Sequence, residues 1–75
     1  MLGPKELLNR VLEYAKTQNN QGRFIIGKSK LWKYIQSIDP EADQRNMYEI
    51  IRELDARGWL LINSEIEIEF DPACF

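Results

Sequence analysis

The residues with the most chemical promise stand together in "GRFIIGKS", Gly22–Ser29. Two glycines with four residues between them, then Lys28 and Ser29, match the spacing G-x-x-x-x-G-K-[ST]. In that motif backbone N–H groups cradle phosphate oxygens, the lysine reaches the outer phosphates and the hydroxyl holds a magnesium ion. The motif needs a buried strand before it and a large α/β domain around it. Here no strand precedes Gly22, and the intervening Arg23-Phe24-Ile25-Ile26 itself reads as strand. Nucleotide hydrolysis is therefore set aside, and Ser29 is read as a helix cap.

The remaining inventory for catalysis is thin. The chain has no histidine, which removes the usual general base and the commonest metal ligand. Its one cysteine, Cys74, cannot form a zinc site or an internal disulfide, and suits a reducing compartment. Acidic pairs such as Glu41/Asp43 and Glu67/Glu69 lack an apolar cleft that would raise one pKa for acid–base work. The expectation is a non-enzymatic protein with no cofactor, no metal and no small-molecule substrate.

Charge is distributed unevenly. Residues 1–38 carry seven Lys/Arg against two Glu, a net of +5, and residues 39–75 carry three Arg against ten Asp/Glu, a net of −7. Such a split marks either a directional surface or simple balance between two faces of a small protein. With 75 residues, 44% hydrophobic and 29% charged, the chain reads as one globular domain over 1–75. No apolar run approaches the roughly 18 residues of a membrane span. The opening Met1-Leu2-Gly3-Pro4 lacks the regions of a signal peptide, so a cytoplasmic location is expected.

The elements that would position these residues follow from periodicity. Pro4 to Gln18 reads as a helix with Leu7, Leu8, Val11, Tyr14 and Ala15 on one face. Asn19–Gly22 reads as a loop, and Phe24–Ile26 as a short strand. Ser29 caps a second helix, Lys30–Ile38, which buries Leu31, Tyr34, Ile35 and Ile38 and places Trp32 at the border. Asp39–Asp43 is a turn offering two N-caps, Asp39 and Asp43. A third helix, Asp43–Arg57, has Met47, Ile50, Ile51 and Leu54 as its core stripe and stops at Gly58. Trp59–Ile62 is a strand and Asn63-Ser64 a two-residue turn. Glu65–Phe70 alternates, with Ile66, Ile68 and Phe70 inward and Glu65, Glu67 and Glu69 outward.

The segments "SKLWKYI", "MYEIIRELDARGWL" and "LLINSEIEIEF", in that order, resemble the second helix, third helix and wing of the winged helix-turn-helix superfamily. The resemblance covers nearly the whole chain and points to no particular family within it. It implies an α+β fold in the order α-β-α-α-β-β, with three helices on a small three-stranded antiparallel sheet. Physical argument agrees: each helix is too short to stand alone, and three strands are about the minimum for an independent sheet.

The resemblance also implies a binding module for double-stranded DNA, in transcription regulation or in DNA replication and maintenance. A location in the nucleus or nucleoid would then apply. The third helix would enter the major groove with Gln44, Arg45 and Asn46 at its leading end, and with Tyr48 and Arg52 on its outer face. Arg23, Lys28, Lys30 and Lys33 would hold phosphates, and Trp32 or Tyr34 would add stacking. Against this stands the acidity of the third helix and of the wing, since DNA affinity comes largely from neutralised phosphates. The alternative is a winged-helix protein-interaction domain of a larger assembly, or a self-associating one, using the apolar strand 59–62 and the acidic wing. With helices on one sheet face only, either Trp59 and Leu61 or Leu60 and Ile62 should be left exposed, unless the terminal Ala73-Cys74-Phe75 covers them.

Overall fold

The computed structural model describes residues 2–75. It is α+β, with three helices against one face of a four-stranded antiparallel sheet. The first helix, α1 (Pro4–Lys16), begins at an extended Gly3 with proline in its first turn and ends two residues before the expected Gln18. Its stripe of Leu7, Leu8, Val11 and Ala15 is buried.

The segment expected to be a loop contains a strand. Asn19–Asn20 (β1) pairs with Arg23–Gly27 (β2) across a Gln21-Gly22 turn. Both turn residues have positive φ, +56° for Gln21 and +83° for Gly22, the combination that matches the twist of a two-residue hairpin. The Asn19 side chain accepts the Gly22 amide at 2.8 Å. Two polar residues carry no periodicity, so this strand leaves no pattern in the sequence. The sheet is therefore four-stranded where three strands were expected, in the order β1-β2-β4-β3.

Helix α2 (Lys28–Ile38) starts two residues earlier than expected, and Ser29 is not its cap. Gly27 occupies the N-cap position without a side-chain bond, and the carbonyl of Ile66 accepts the Lys28 amide at 2.8 Å. The helix start thus uses a carbonyl from the distant hairpin, in place of the local cap expected at Ser29. The eight-residue motif of Gly22–Ser29 is accordingly a turn, a paired strand and a helix start. Leu31 and Ile35 are buried; Tyr34 instead stacks on Tyr14 of α1, centroids 4.0 Å apart and planes 4° apart.

Asp39 caps nothing. It is buried, and its carboxylate accepts the amides of Leu2 at 3.0 Å and Glu41 at 3.3 Å, tying the chain start to the α2–α3 turn. Asp43 is the N-cap of α3 (Gln44–Ala56), forming a reciprocal capping box with Asn46. Met47, Ile50, Ile51 and Leu54 are buried as expected. Gly58 follows with φ +73°, and its amide and that of Trp59 return to helix carbonyls.

The final hairpin is shifted from expectation. Strand β3 is Leu60–Asn63 and β4 is Glu67–Phe70, so Trp59 precedes the strand and Asn63 belongs to it. Ser64 and Glu67 close the loop: the Ser64 amide and hydroxyl both donate to the Glu67 carbonyl, and the hydroxyl accepts the Glu67 amide. Glu65 and Ile66 therefore form the tip, and Ile66, expected inward, is 77% exposed. Ile68 and Phe70 do face the core, which they share with Ile26 of β2 and the three helical stripes. Full burial of each such side chain contributes about 1.5–3 kcal/mol, the main offset to chain entropy in so small a domain. A short 3-10 turn, Pro72–Cys74, brings Phe75 against Phe24 and Phe70. No helix among the described residues is long and apolar enough to cross a membrane.

Candidate nucleic-acid interface

The basic side chains divide into occupied and open ones. Arg23 is occupied: its guanidinium donates to both oxygens of Glu69, at 2.7 and 3.3 Å. Strand order explains the pair, because β2 lies beside β4 with Ile25 opposite Glu69, which puts Arg23 on the diagonal across the same sheet face. Glu69, expected to be solvated, is only 7% exposed. Its hydrogen bond from Arg23 holds the carboxyl below its ordinary pKa, and the same bond raises that of the guanidinium. Lys30 donates to the Gln18 side chain at 2.7 Å, an exposed contact that a stronger acceptor can replace. Asn46 is half-buried in the capping box, which commits its side-chain oxygen to the Asp43 amide.

The open set lies on the outer face of α3 and its junction with α2. Arg45, Tyr48 and Arg52 recur at helical spacing, opposite the core stripe, and all three are exposed. Neither arginine has a hydrogen-bond or ion-pair partner among the described residues; the Arg45–Glu49 pair that their spacing permits is not formed. Lys28 sits with its ammonium 5.7 Å from the centre of the Tyr48 ring, so the start of α2 meets the face of α3 there. Gln44 and Lys33 are exposed as well. Glu49 and Asp55 share the helix and dilute its positive charge. Trp32 packs half-buried against the core, and Tyr34 is held by Tyr14 and by a bond to the Arg10 carbonyl, so neither offers a stacking surface.

A second feature lies on the opposite side of the sheet from the helices. Leu60 pairs with Phe70, Ile62 with Glu69 and Asn63 with Ile68, so the strand carries one extra residue at Leu61. This bulge breaks the period-two alternation. Two consecutive apolar residues are consequently open, Leu61 at 56% and Ile62 at 40% exposure. The pairing of exposed residues expected from strict alternation does not hold: Trp59 is half-buried under Arg57, whose guanidinium lies 5.0 Å from its ring. The C-terminal Phe75 covers Phe24 and Phe70 and leaves Leu61 and Ile62 open.

A groove of about 560 Å³ runs between α1 and α3, bordered by Leu2, Leu8, Ile50, Glu49, Glu53 and Arg57. Tyr48 and Arg52 are not part of it. Among the described residues no three His, Cys, Asp or Glu side chains converge as metal ligands. Burial pushes the Cys74 thiol up from its ordinary pKa, which lowers its reactivity at neutral pH.

The arrangement defines a small α+β domain with a partly basic helical face and an apolar sheet edge. No protein-family model, curated protein or solved structure matches the chain.

Proposed function

We propose that this chain is a winged-helix domain that binds double-stranded DNA without catalysing a reaction, in transcription regulation or DNA replication and maintenance. In this reading α3 faces the major groove, Arg45, Tyr48 and Arg52 meet the bases, and Lys28 and Lys33 meet phosphates. The observation that carries it is the Lys28–Tyr48 contact, which joins α2 to the outer face of α3 between two arginines that have no partner among the described residues. The order of the three helices and the last two strands supports the fold assignment, with β1 as an addition. Glu65 at the hairpin tip and Glu67 at the start of β4 keep that hairpin off the phosphates, so contacts are few and affinity for one copy is modest.

The test is a titration of the full chain with random duplex DNA at low salt, followed by backbone amide chemical shifts. The reading expects shifts at Arg45, Tyr48, Arg52 and Lys28, and weakening as salt rises. An absence of shifts at millimolar protein, or shifts confined to β3, would overturn it.

A protein-interaction domain is the second reading. It is favoured by the exposure of Leu61, Ile62 and Ile66.

A further inference from the structure

The outermost ridge of α3 carries one acid between two arginines. Arg45, Glu49 and Arg52 are spaced four and then three residues apart, so they share a face within about 60° of one another around the helix axis. That face lies opposite the buried stripe of Met47, Ile50, Ile51 and Leu54. All three side chains are exposed, and none has a hydrogen-bond or ion-pair partner among the described residues. Glu49 borders the α1–α3 groove without such a partner there either. Tyr48 flanks the ridge on the α2 side, where Lys28 meets its ring, and leaves the middle of the ridge to Glu49. An acid at this place repels phosphates, so it needs a different counterpart.

We infer that Glu49 is a specificity-determining residue of the DNA-binding face, accepting from the amino group of a cytosine, and that Arg45, Glu49 and Arg52 together read three successive base pairs as G-C-G. The inference rests on the DNA-binding reading and adds to it the sequence class of the target. Each arginine is a five-donor fork that matches the two acceptors of guanine, O6 and N7. A carboxylate only accepts. In the major groove guanine and thymine oppose it with acceptors, and adenine sets an acceptor beside its donor. Cytosine alone offers a donor and nothing that conflicts. The spacing fits as well: helices in the major groove address successive pairs with side chains about one turn apart, mainly on one strand. G-C-G has the same order in both directions along a strand, so the direction in which α3 lies does not change the expectation.

The experiment is fluorescence anisotropy of the full chain at low salt on four duplexes that share G-n-G and differ only in the middle pair, with circular dichroism to check folding. The wild type should favour cytosine in the middle by about tenfold. Glu49→Gln converts an acceptor into a group that matches adenine on both edges, so it should move the preference from G-C-G to G-A-G. A wild type that favours another middle base, or none, overturns the inference. So does a Glu49→Gln variant that tightens all four duplexes alike, which is the result of merely removing a negative charge. In each of these cases the chain still binds DNA, and only the sequence class is lost. Failure to bind any of the four at millimolar protein removes the DNA reading and this inference together.

Discussion

Arg23 and Glu69 grip each other across the outer face of the sheet, Nη2 to Oε1 at 2.7 Å and Nε to Oε2 at 3.3 Å. The fork geometry matches guanidinium to carboxylate on both prongs. One residue had the look of a phosphate contact and the other of a solvated acid; each is instead the other's partner. The pair stitches β2 to β4 and withdraws one cation from the surface open to a ligand.

Stability should carry the mark of this pair as a dependence on pH. The folded-state pKa of Glu69 lies below its ordinary value because Arg23 bonds to the charged form. The unfolded chain therefore binds this proton more readily. The contribution is complete above the ordinary glutamate pKa of about 4.3, declines as pH falls below it, and is gone below the lowered value of Glu69 itself. Urea unfolding at neutral pH and in steps below pH 5 checks this. Wild type and Glu69→Gln should differ most at neutral pH and converge in acid.

Substitutions of basic residues should separate structure from binding. Arg23→Ala should lower the urea midpoint and leave the salt dependence of DNA binding unchanged, because its guanidinium is already neutralised. Lys33→Ala should leave the midpoint unchanged and reduce the slope of log affinity against log salt by about 1. Arg45→Ala should cost sequence preference, about 1–3 kcal/mol of discrimination at one base pair. Fluorescence anisotropy on two duplexes at several salt concentrations measures all three.

The α3 cap should prove structural. Asp43→Ala removes the acceptor of the Asn46 amide and half of the reciprocal box, and should cost about 1 kcal/mol. Asn46→Ala should also destabilise, by opening the other half. If Asn46 instead reads bases, its substitution would change DNA preference with stability intact; unfolding and binding curves on the same variants decide this.

Gly58 should be costly to replace for a backbone reason alone. Its φ is +73°, and an added Cβ would meet no atom within 4 Å. Gly58→Ala should therefore lose about 1–2 kcal/mol through the left-handed conformation, with no clash to relieve. A shift of the urea midpoint without a change of slope identifies this effect.

Much of this architecture was legible in the order of residues. The core stripes of α1 and α3 repeat with the helical period, and Asp43 and Gly58 mark the ends of α3 by local chemistry. Ile68 and Phe70 alternate in direction with Glu67 and Glu69 as strand geometry requires, although Glu69 is buried as well by its pair with Arg23. Three features left no readable pattern. The two-residue β1 is too short for any period. The start of α2 depends on a carbonyl from Ile66, far along the chain. The bulge at Leu61 breaks the rule by which inward and outward residues of β3 were told apart.

The candidate surface was legible in its chemistry and not in its availability. Residue types alone single out Arg23, Lys28, Lys30, Lys33, Gln44, Arg45, Asn46, Tyr48 and Arg52 as groups able to meet DNA. Pairing decides which of them remain open. Glu69 lies 46 residues from Arg23, and only the register of β2 against β4 brings them together. Helical and strand periods act between near neighbours and are written into the sequence; ion pairs between strands arise from register, which the whole core sets when it closes.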